Sequence, residues 1–347
     1  MFPSREKGYS VQRSRASFAR AADGWAPRLR TFSAVILAAA ATALGVAPGA
    51  LPLSAAAATR PSTQTPAHVN LADPGFSDFG GTFYIYGTGE RFPVATATRW
   101  NGPYGRGGTV LAAQPGWLGT CPTFGHSEWA PQVFRADGKY VLYYTACDGD
   151  VSPLAHCVGI ATSASPASGF IPVGRPICAP ASQGAGTEAI DPSPYQVAGH
   201  RYLLFKTSHG NRSAWTIWAI AMTAAGTATA GAPRALIRPS SIMEAPFALN
   251  HGGKVWLFVA RNWFNSCAYS TDVYKAGTIK GPFTRVGSLL SRASTGLCGP
   301  GGASLTWSAG TYYIAYHAWA NGSPTSGTRV TYVAQIGWRA NGNPYVK

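Results

Sequence analysis

The segment Ala189-Ile190-Asp191-Pro192-Ser193-Pro194-Tyr195-Gln196-Val197-Ala198-Gly199-His200-Arg201-Tyr202-Leu203-Leu204-Phe205 reads as an acidic residue before proline, a short strand, a glycine turn and a second apolar strand. Alternation and β-branched or aromatic residues on both sides of a glycine-containing turn are the mark of a β-hairpin. The chain repeats this unit. Proline stands at 74, 131, 192, 246 and 300, at intervals of 57, 61, 54 and 54 residues. In the first four copies a glycine follows seven positions on (Gly81, Gly138, Gly199 and Gly253), and in the fifth Gly310 follows after ten. An apolar, aromatic-rich strand comes after each glycine, as in Tyr140-Val141-Leu142-Tyr143-Tyr144 and Tyr312-Tyr313-Ile314-Ala315-Tyr316. Repeats of this length with several strands each imply propeller blades, so the expectation is an all-β, five-bladed β-propeller. A β-sandwich with coincidental spacing is the alternative.

Residues 1–58 read as a leader outside the fold, and residues 59–347 as a single propeller domain of about 290 residues. The leader carries seven Arg/Lys, then an apolar run from Phe32 to Val46, then the small-residue tail Ser54-Ala55-Ala56-Ala57-Ala58. That order is a secretory signal peptide, with an n-region long enough to suggest a start downstream of Met1. An uncleaved membrane anchor is the competing reading; the apolar run is short for a spanning helix, and Pro48 and Pro52 interrupt it. Beyond the leader no segment is apolar for long enough to cross a bilayer. The expected protein is secreted and monomeric, with no membrane partner.

The domain keeps 21 Lys/Arg against 11 Asp/Glu. Such a balance suits nucleic acid or an acidic polymer. The basic residues are scattered rather than clustered, so no nucleic-acid partner is expected. All six cysteines (Cys121, Cys147, Cys157, Cys178, Cys267 and Cys298) lie in the domain. An even count in an exported chain argues for disulfides, and no spacing suggests zinc. Closeness in sequence favours Cys121–Cys147, Cys157–Cys178 and Cys267–Cys298.

So few carboxylates can be taken one by one. Asp78, Asp137, Asp148, Asp150 and Asp272 sit in or beside turns, where Asp is ordinary. Asp73 and Asp191 directly precede their prolines, and Glu244 stands two before Pro246. In a propeller the start of each innermost strand lines the central channel, so these three are expected to face one pocket. Converging like charges are costly and are tolerated mainly at functional sites. Glu188, three residues before Asp191, is expected on the opposite face of an extended strand.

Leu71-Ala72-Asp73-Pro74, Trp129-Ala130-Pro131-Gln132-Val133, Ala189-Ile190-Asp191-Pro192-Ser193, Met243-Glu244-Ala245-Pro246-Phe247 and Gly299-Pro300-Gly301 together resemble the blade motifs of glycoside hydrolase family 43. The resemblance spans about Val69 to Val346. It implies a five-bladed propeller that hydrolyses arabinan, arabinoxylan and related polysaccharides with inversion. It also implies that Asp73 is the general base, Glu244 the general acid and Asp191 the residue that positions the acid and raises its pKa. No cofactor is expected. The family's fifth motif often continues to a His at a central metal or water site; Gly302 stands there instead, which leaves a structural calcium on the axis in doubt. Trp129, His126, Arg261, Trp263, His317 and Arg329 are candidate sugar contacts, Arg329 by likeness to a late arginine of the family. For each, a purely structural role is the alternative.

Two classes of function fit. One is a secreted inverting hydrolase of arabinose- or xylose-containing polysaccharide or oligosaccharide, most simply an α-L-arabinofuranosidase or arabinanase, with xylosidase or galactanase activity as variants on the same fold. The other is a carbohydrate-binding propeller without catalysis, against which the presence of all three carboxylates counts.

Overall fold

The structure, a computed structural model, describes residues 60–121, 128–148, 156–184, 187–209 and 213–347. The leader expected at 1–58 and the candidate His126 lie outside the described residues. Five antiparallel sheets, each a blade, follow one another along the chain. Their innermost strands are Gly75–Phe79, Trp129–Ala136, Thr187–Val197, Met243–His251 and Cys298–Ser308. Each turns into a second strand: Thr82–Tyr86, Lys139–Cys147, His200–His209, Lys254–Arg261 and Thr311–Trp319. This is the five-bladed β-propeller expected from the repeat.

The repeated glycine has a geometric cause. Every inner hairpin has a two-residue loop, and in each both loop residues have positive φ: Gly80-Gly81, Asp137-Gly138, Ala198-Gly199, Gly252-Gly253 and Ala309-Gly310. Such turns match the twist of the strands they join and favour Gly at the second position.

The second strands are apolar on both faces because each is sandwiched between neighbouring blades. In the third blade Leu203 and Phe205 pack into the cluster shared with the second blade, while Leu204 packs into the one shared with the fourth. Trp256 and Phe258 of the fourth blade face the fifth, and Leu257 and Val259 face the third. The period-2 alternation of a strand thus splits its residues between two cores, and five apolar wedges between blades replace one central core.

Both ends of the described chain close the ring on the fifth blade. Its third strand, Arg329–Trp338, pairs with Thr65–Pro66 on one part and Pro344–Val346 on another. Thr63 also donates through its amide and hydroxyl to the Lys347 carbonyl, at 3.0 and 2.8 Å. The three disulfides pair as proximity in sequence suggested. Among the described residues no helix is long and apolar enough to cross a membrane.

The inner strands also share an irregularity. Pairing skips between Trp129 and Gln132, Ile190 and Ser193, Glu244 and Phe247, and Gly301 and Ser304. Each skip is a bulge: three steps on the inner strand oppose two on its neighbour. The bulge residue has positive φ in each case: Ala130, Asp191, Ala245 and Gly302, with Asp73 in the same place just ahead of the first blade's inner strand. This register corrects two expectations. The fifth copy of the repeat is Gly302-Ala303, not Gly299-Pro300, and from Ala303 the turn Gly310 is again seven positions on. Glu244 lies one residue before the place that Asp73 and Asp191 occupy.

Packing is tight enough to be tested at one position. Gly159 lies against the ring of the fully buried Tyr144, and a Cβ added there would overlap the ring. Gly159→Ala is expected to destabilise the protein by about 1–3 kcal/mol, the usual cost of overpacking. Chemical denaturation would measure this; an unchanged midpoint would contradict the packing.

Candidate active site

All five bulge residues (Asp73, Ala130, Asp191, Ala245 and Gly302) line one cavity of about 500 Å³ on the propeller axis. Glu244, Glu188, Lys206, Ser208, Trp129, Trp215, Trp263, Phe264, Tyr269 and Arg329 complete much of its wall. The bulge explains why Asp73 and Asp191 face inward: each stands at a positive-φ position, a costly conformation that concentrates at functional sites.

Arg329, Thr88 and His317 hold Asp73. Arg329 Nη1 donates to Oδ1 at 2.8 Å, and the Thr88 hydroxyl donates to Oδ2 at 2.7 Å. The Asp73 amide donates to His317 Nδ1 at 3.1 Å. Burial alone would raise this carboxyl, but the Arg329 cation and the Thr88 hydrogen bond hold it below the ordinary carboxylate range. Burial and Arg329 push His317 down to about 3, so its imidazole is neutral near neutral pH and Arg329 is the cation beside Asp73. Arg329 itself approaches the rings of both Phe264 and Trp319, at 5.4 and 5.8 Å from their centroids.

Asp191 and Glu244 behave in the opposite way. Burial, then Glu244, raises the Asp191 carboxyl, with Lys206 pulling it back. Burial raises Glu244 too, while Lys206 and a hydrogen bond from the Tyr269 phenol oppose the rise. The charge of Glu244 disfavours ionising Asp191, so the two buried carboxyls favour keeping one proton. Asp191 Oδ2 also accepts the Ala245 amide at 2.9 Å, which fixes the backbone next to Glu244.

The other expected residues divide. Trp129 lines the cavity with its ring stacked on His156, centroids 4.3 Å apart. Trp263 lines the cavity beside Phe264. Arg261 does not line it. Its guanidinium turns aside to Ser241 Oγ at 2.9 Å and Asp272 Oδ2 at 3.8 Å, a carboxylate that its own blade supplies. His317 is fully buried and acts on Asp73 rather than on the cavity surface. Glu188 was expected on the far face, but the bulge breaks the alternation and Glu188 lines the cavity. Lys206, an isolated lysine in an apolar strand, was not singled out; only the register across the bulge reveals where it points.

The place where the family resemblance implies a His is Gly302. A Cβ there would come within 2.8 Å of His317 Cε1, so His317 fills that space from the adjacent strand. Its Nε2 is buried, with no hydrogen-bond partner among the described residues. Calcium takes six to eight oxygen ligands. The one set of three candidate donors among the described residues is Asp148, Cys157 and Cys178, and a disulfide consumes both sulfurs.

A propeller whose axis holds one ion-paired carboxylate and one proton-holding carboxyl pair, walled by tryptophans, is the site of a glycoside hydrolase. The chain matches the model of glycosyl hydrolases family 43 over residues 107–344 and belongs to that family. A probable arabinan endo-1,5-α-L-arabinosidase B of Aspergillus fumigatus is 28% identical over 146 residues, which cover 40% of this chain and 38% of that protein. An extracellular exo-α-(1→5)-L-arabinofuranosidase of Streptomyces avermitilis is 25% identical over 91% of this chain and 69% of its own length. The chain spans 38% of the length of the first of these relatives and 61% of a probable arabinan endo-1,5-α-L-arabinosidase A of Aspergillus flavus, less than two thirds of either. Among solved structures, a thermostable family-43 glycoside hydrolase superposes with a TM-score of 0.70 at 22% identity, covering 83% of this chain and 96% of that one. Cellvibrio cellulosa α-L-arabinanase complexed with arabinohexaose gives 0.66 at 19% identity, covering 80% and 96%.

The Asp73–Arg329 pair makes a direct test. Arg329→Met is expected to raise the Asp73 titration midpoint by about one to three units, the usual effect of losing an adjacent cation. Carboxyl carbon shifts followed by NMR would measure it, and an unmoved midpoint would contradict the ion pair.

Proposed function

We propose that the protein is a secreted, inverting glycoside hydrolase that cleaves α-L-arabinofuranosyl linkages in arabinan or a related plant polysaccharide. The observation that carries this reading is the contrast on the axis: Asp73 kept anionic, and the Asp191–Glu244 pair kept protonated, facing one cavity. Hydrolysis with inversion needs both states at once, a base that activates water on one face of the sugar and an acid on the other. The arabinan-cleaving relatives support the choice of sugar. Three disulfides and the extracellular relative support export.

In this mechanism Asp73 takes a proton from water as its oxygen attacks the anomeric carbon. The glycosidic C–O bond breaks, and Glu244 gives its proton to the departing oxygen. Asp191 holds the backbone beside Glu244 through the Ala245 amide and shares the pair's proton. Trp129 and Trp263 offer flat faces against which sugar rings stack.

The pH dependence follows with sign. Asp73 is depressed, so the base is lost only at acid pH. The Asp191–Glu244 pair is raised, so the acid is present below the pair's elevated pKa and is lost as pH rises through it. Glu244→Gln is expected to cut hydrolysis of arabinan by about 10²- to 10⁴-fold, the usual worth of a general acid, with an unchanged fold. Sugar release would measure it. Full activity in the variant, or no release by the wild type from arabinan, arabinoxylan or xylan, would overturn the reading.

A further inference from the structure

The pairing register places Thr88, Thr145, Lys206, Ala260 and His317 at one equivalent second-strand position in the five blades, Thr88 by continuation of its strand. Three of them bond the bulge amide of the next blade around the ring. Thr88 Oγ1 accepts the Ala130 amide at 3.1 Å, Thr145 Oγ1 accepts the Asp191 amide at 3.1 Å, and His317 Nδ1 accepts the Asp73 amide at 3.1 Å. Lys206 holds the same place and cannot do this, because an ammonium accepts no hydrogen bond. The Asp191 carboxylate takes the Ala245 amide instead. Lys206 is therefore not needed to stitch the ring, yet a charge sits there with a side chain only 5% exposed.

Its contacts are directional. Nζ lies 2.8 Å from Glu188 Oε1 and 3.9 Å from Glu244 Oε2. Glu188 is in turn fixed by the Ser208 hydroxyl and lies 3.8 Å from His156 Nδ1. We propose that Lys206, tethered by Glu188, is a positioning residue that sets how tightly the Asp191–Glu244 pair holds its proton. The inference rests on the reading of Glu244 as the acid.

The charges around that pair come from every blade: Asp73 from the first, His156 from the second, Glu188, Asp191 and Lys206 from the third, Glu244 and Tyr269 from the fourth, His317 and Arg329 from the fifth. Arg329 is committed to Asp73 and His317 is neutral, so Lys206 is the cation that answers Glu244 and Asp191. Without it, burial and mutual repulsion bind the proton so tightly that Glu244 is a weak donor. Without Glu188, the bare ammonium strips the proton too early. Catalysis is best when the acid's pKa lies near the working pH, and the Lys206–Glu188 pair bounds it from both sides. Both terms act on Glu244 with these signs, Lys206 lowering its pKa and Glu188 raising it.

The test is a pair of variants in the full chain, Lys206→Met and Glu188→Gln. The titration midpoint of the Asp191–Glu244 pair is read from carboxyl carbon NMR shifts, and the basic limb of the pH–kcat profile on arabinan is read beside it. Lys206→Met is expected to move both up by about one unit or more, and Glu188→Gln to move both down. KM is expected to change little in Lys206→Met while kcat falls. Glu188 is partly exposed and its replacement isosteric, so that variant stays informative if Lys206→Met does not fold. Midpoints that stay put, or that move the same way in both variants, would overturn the assignment. Opposite midpoint shifts in a protein that cuts no arabinan would uphold the electrostatic assignment and refute the proposed substrate.

Discussion

Four carboxylates share one buried axis, and the site depends on how their charge is compensated. Isolated ionised carboxyls are very costly to bury, so each must be paired, hydrogen-bonded or protonated. The structure uses all three solutions. Asp73 takes Arg329 and the Thr88 hydroxyl. Glu188 takes Lys206 and Ser208. Asp191 and Glu244 are left with less positive charge than two anions need, and they retain a proton. One base-like and one acid-like centre follow from that unequal sharing.

The scaffold that permits this is the repeated bulge. A regular inner strand would present alternate residues to the channel. The extra residue at positive φ instead delivers one side chain per blade to the same height on the axis. Where that side chain is alanine or glycine the blade leaves room for substrate, and where it is aspartate the blade supplies chemistry. The bulge amides freed from the strand ladder are stitched to neighbouring blades by Thr88, Thr145, Asp191 and His317. The groups that hold the ring together are thus the same groups that position Asp73 and the strand carrying Glu244. Disulfides between Cys121 and Cys147 and between Cys267 and Cys298 secure segments beside the same cavity.

Much of this was legible in the sequence because it follows local rules. The turn glycines mark two-residue hairpins, and the doubly apolar second strands mark sheets packed on both faces. Asp73, Asp191 and Glu244 were picked out by their places beside repeated prolines. The errors share one cause, since strand alternation cannot be carried across a bulge whose position is unknown. Simple alternation therefore puts Glu188 on the wrong face, Pro300 in the place of Ala303, and Lys206 out of view of the channel. Arg261 and His317 engage Asp272 and the Asp73 amide, which come from other strands or another blade, and no spacing along the chain announces such partners.

The central claim is that water attacks from the Asp73 side as Glu244 releases the leaving group from the other. The most direct measurement is the anomeric configuration of the first product released from an α-linked arabinofuranoside, followed by proton NMR before mutarotation. The account predicts that the β-anomer appears first. Initial release of the α-anomer would mean that a carboxylate attacks the sugar itself, and would contradict the assignment of Asp73 as a base.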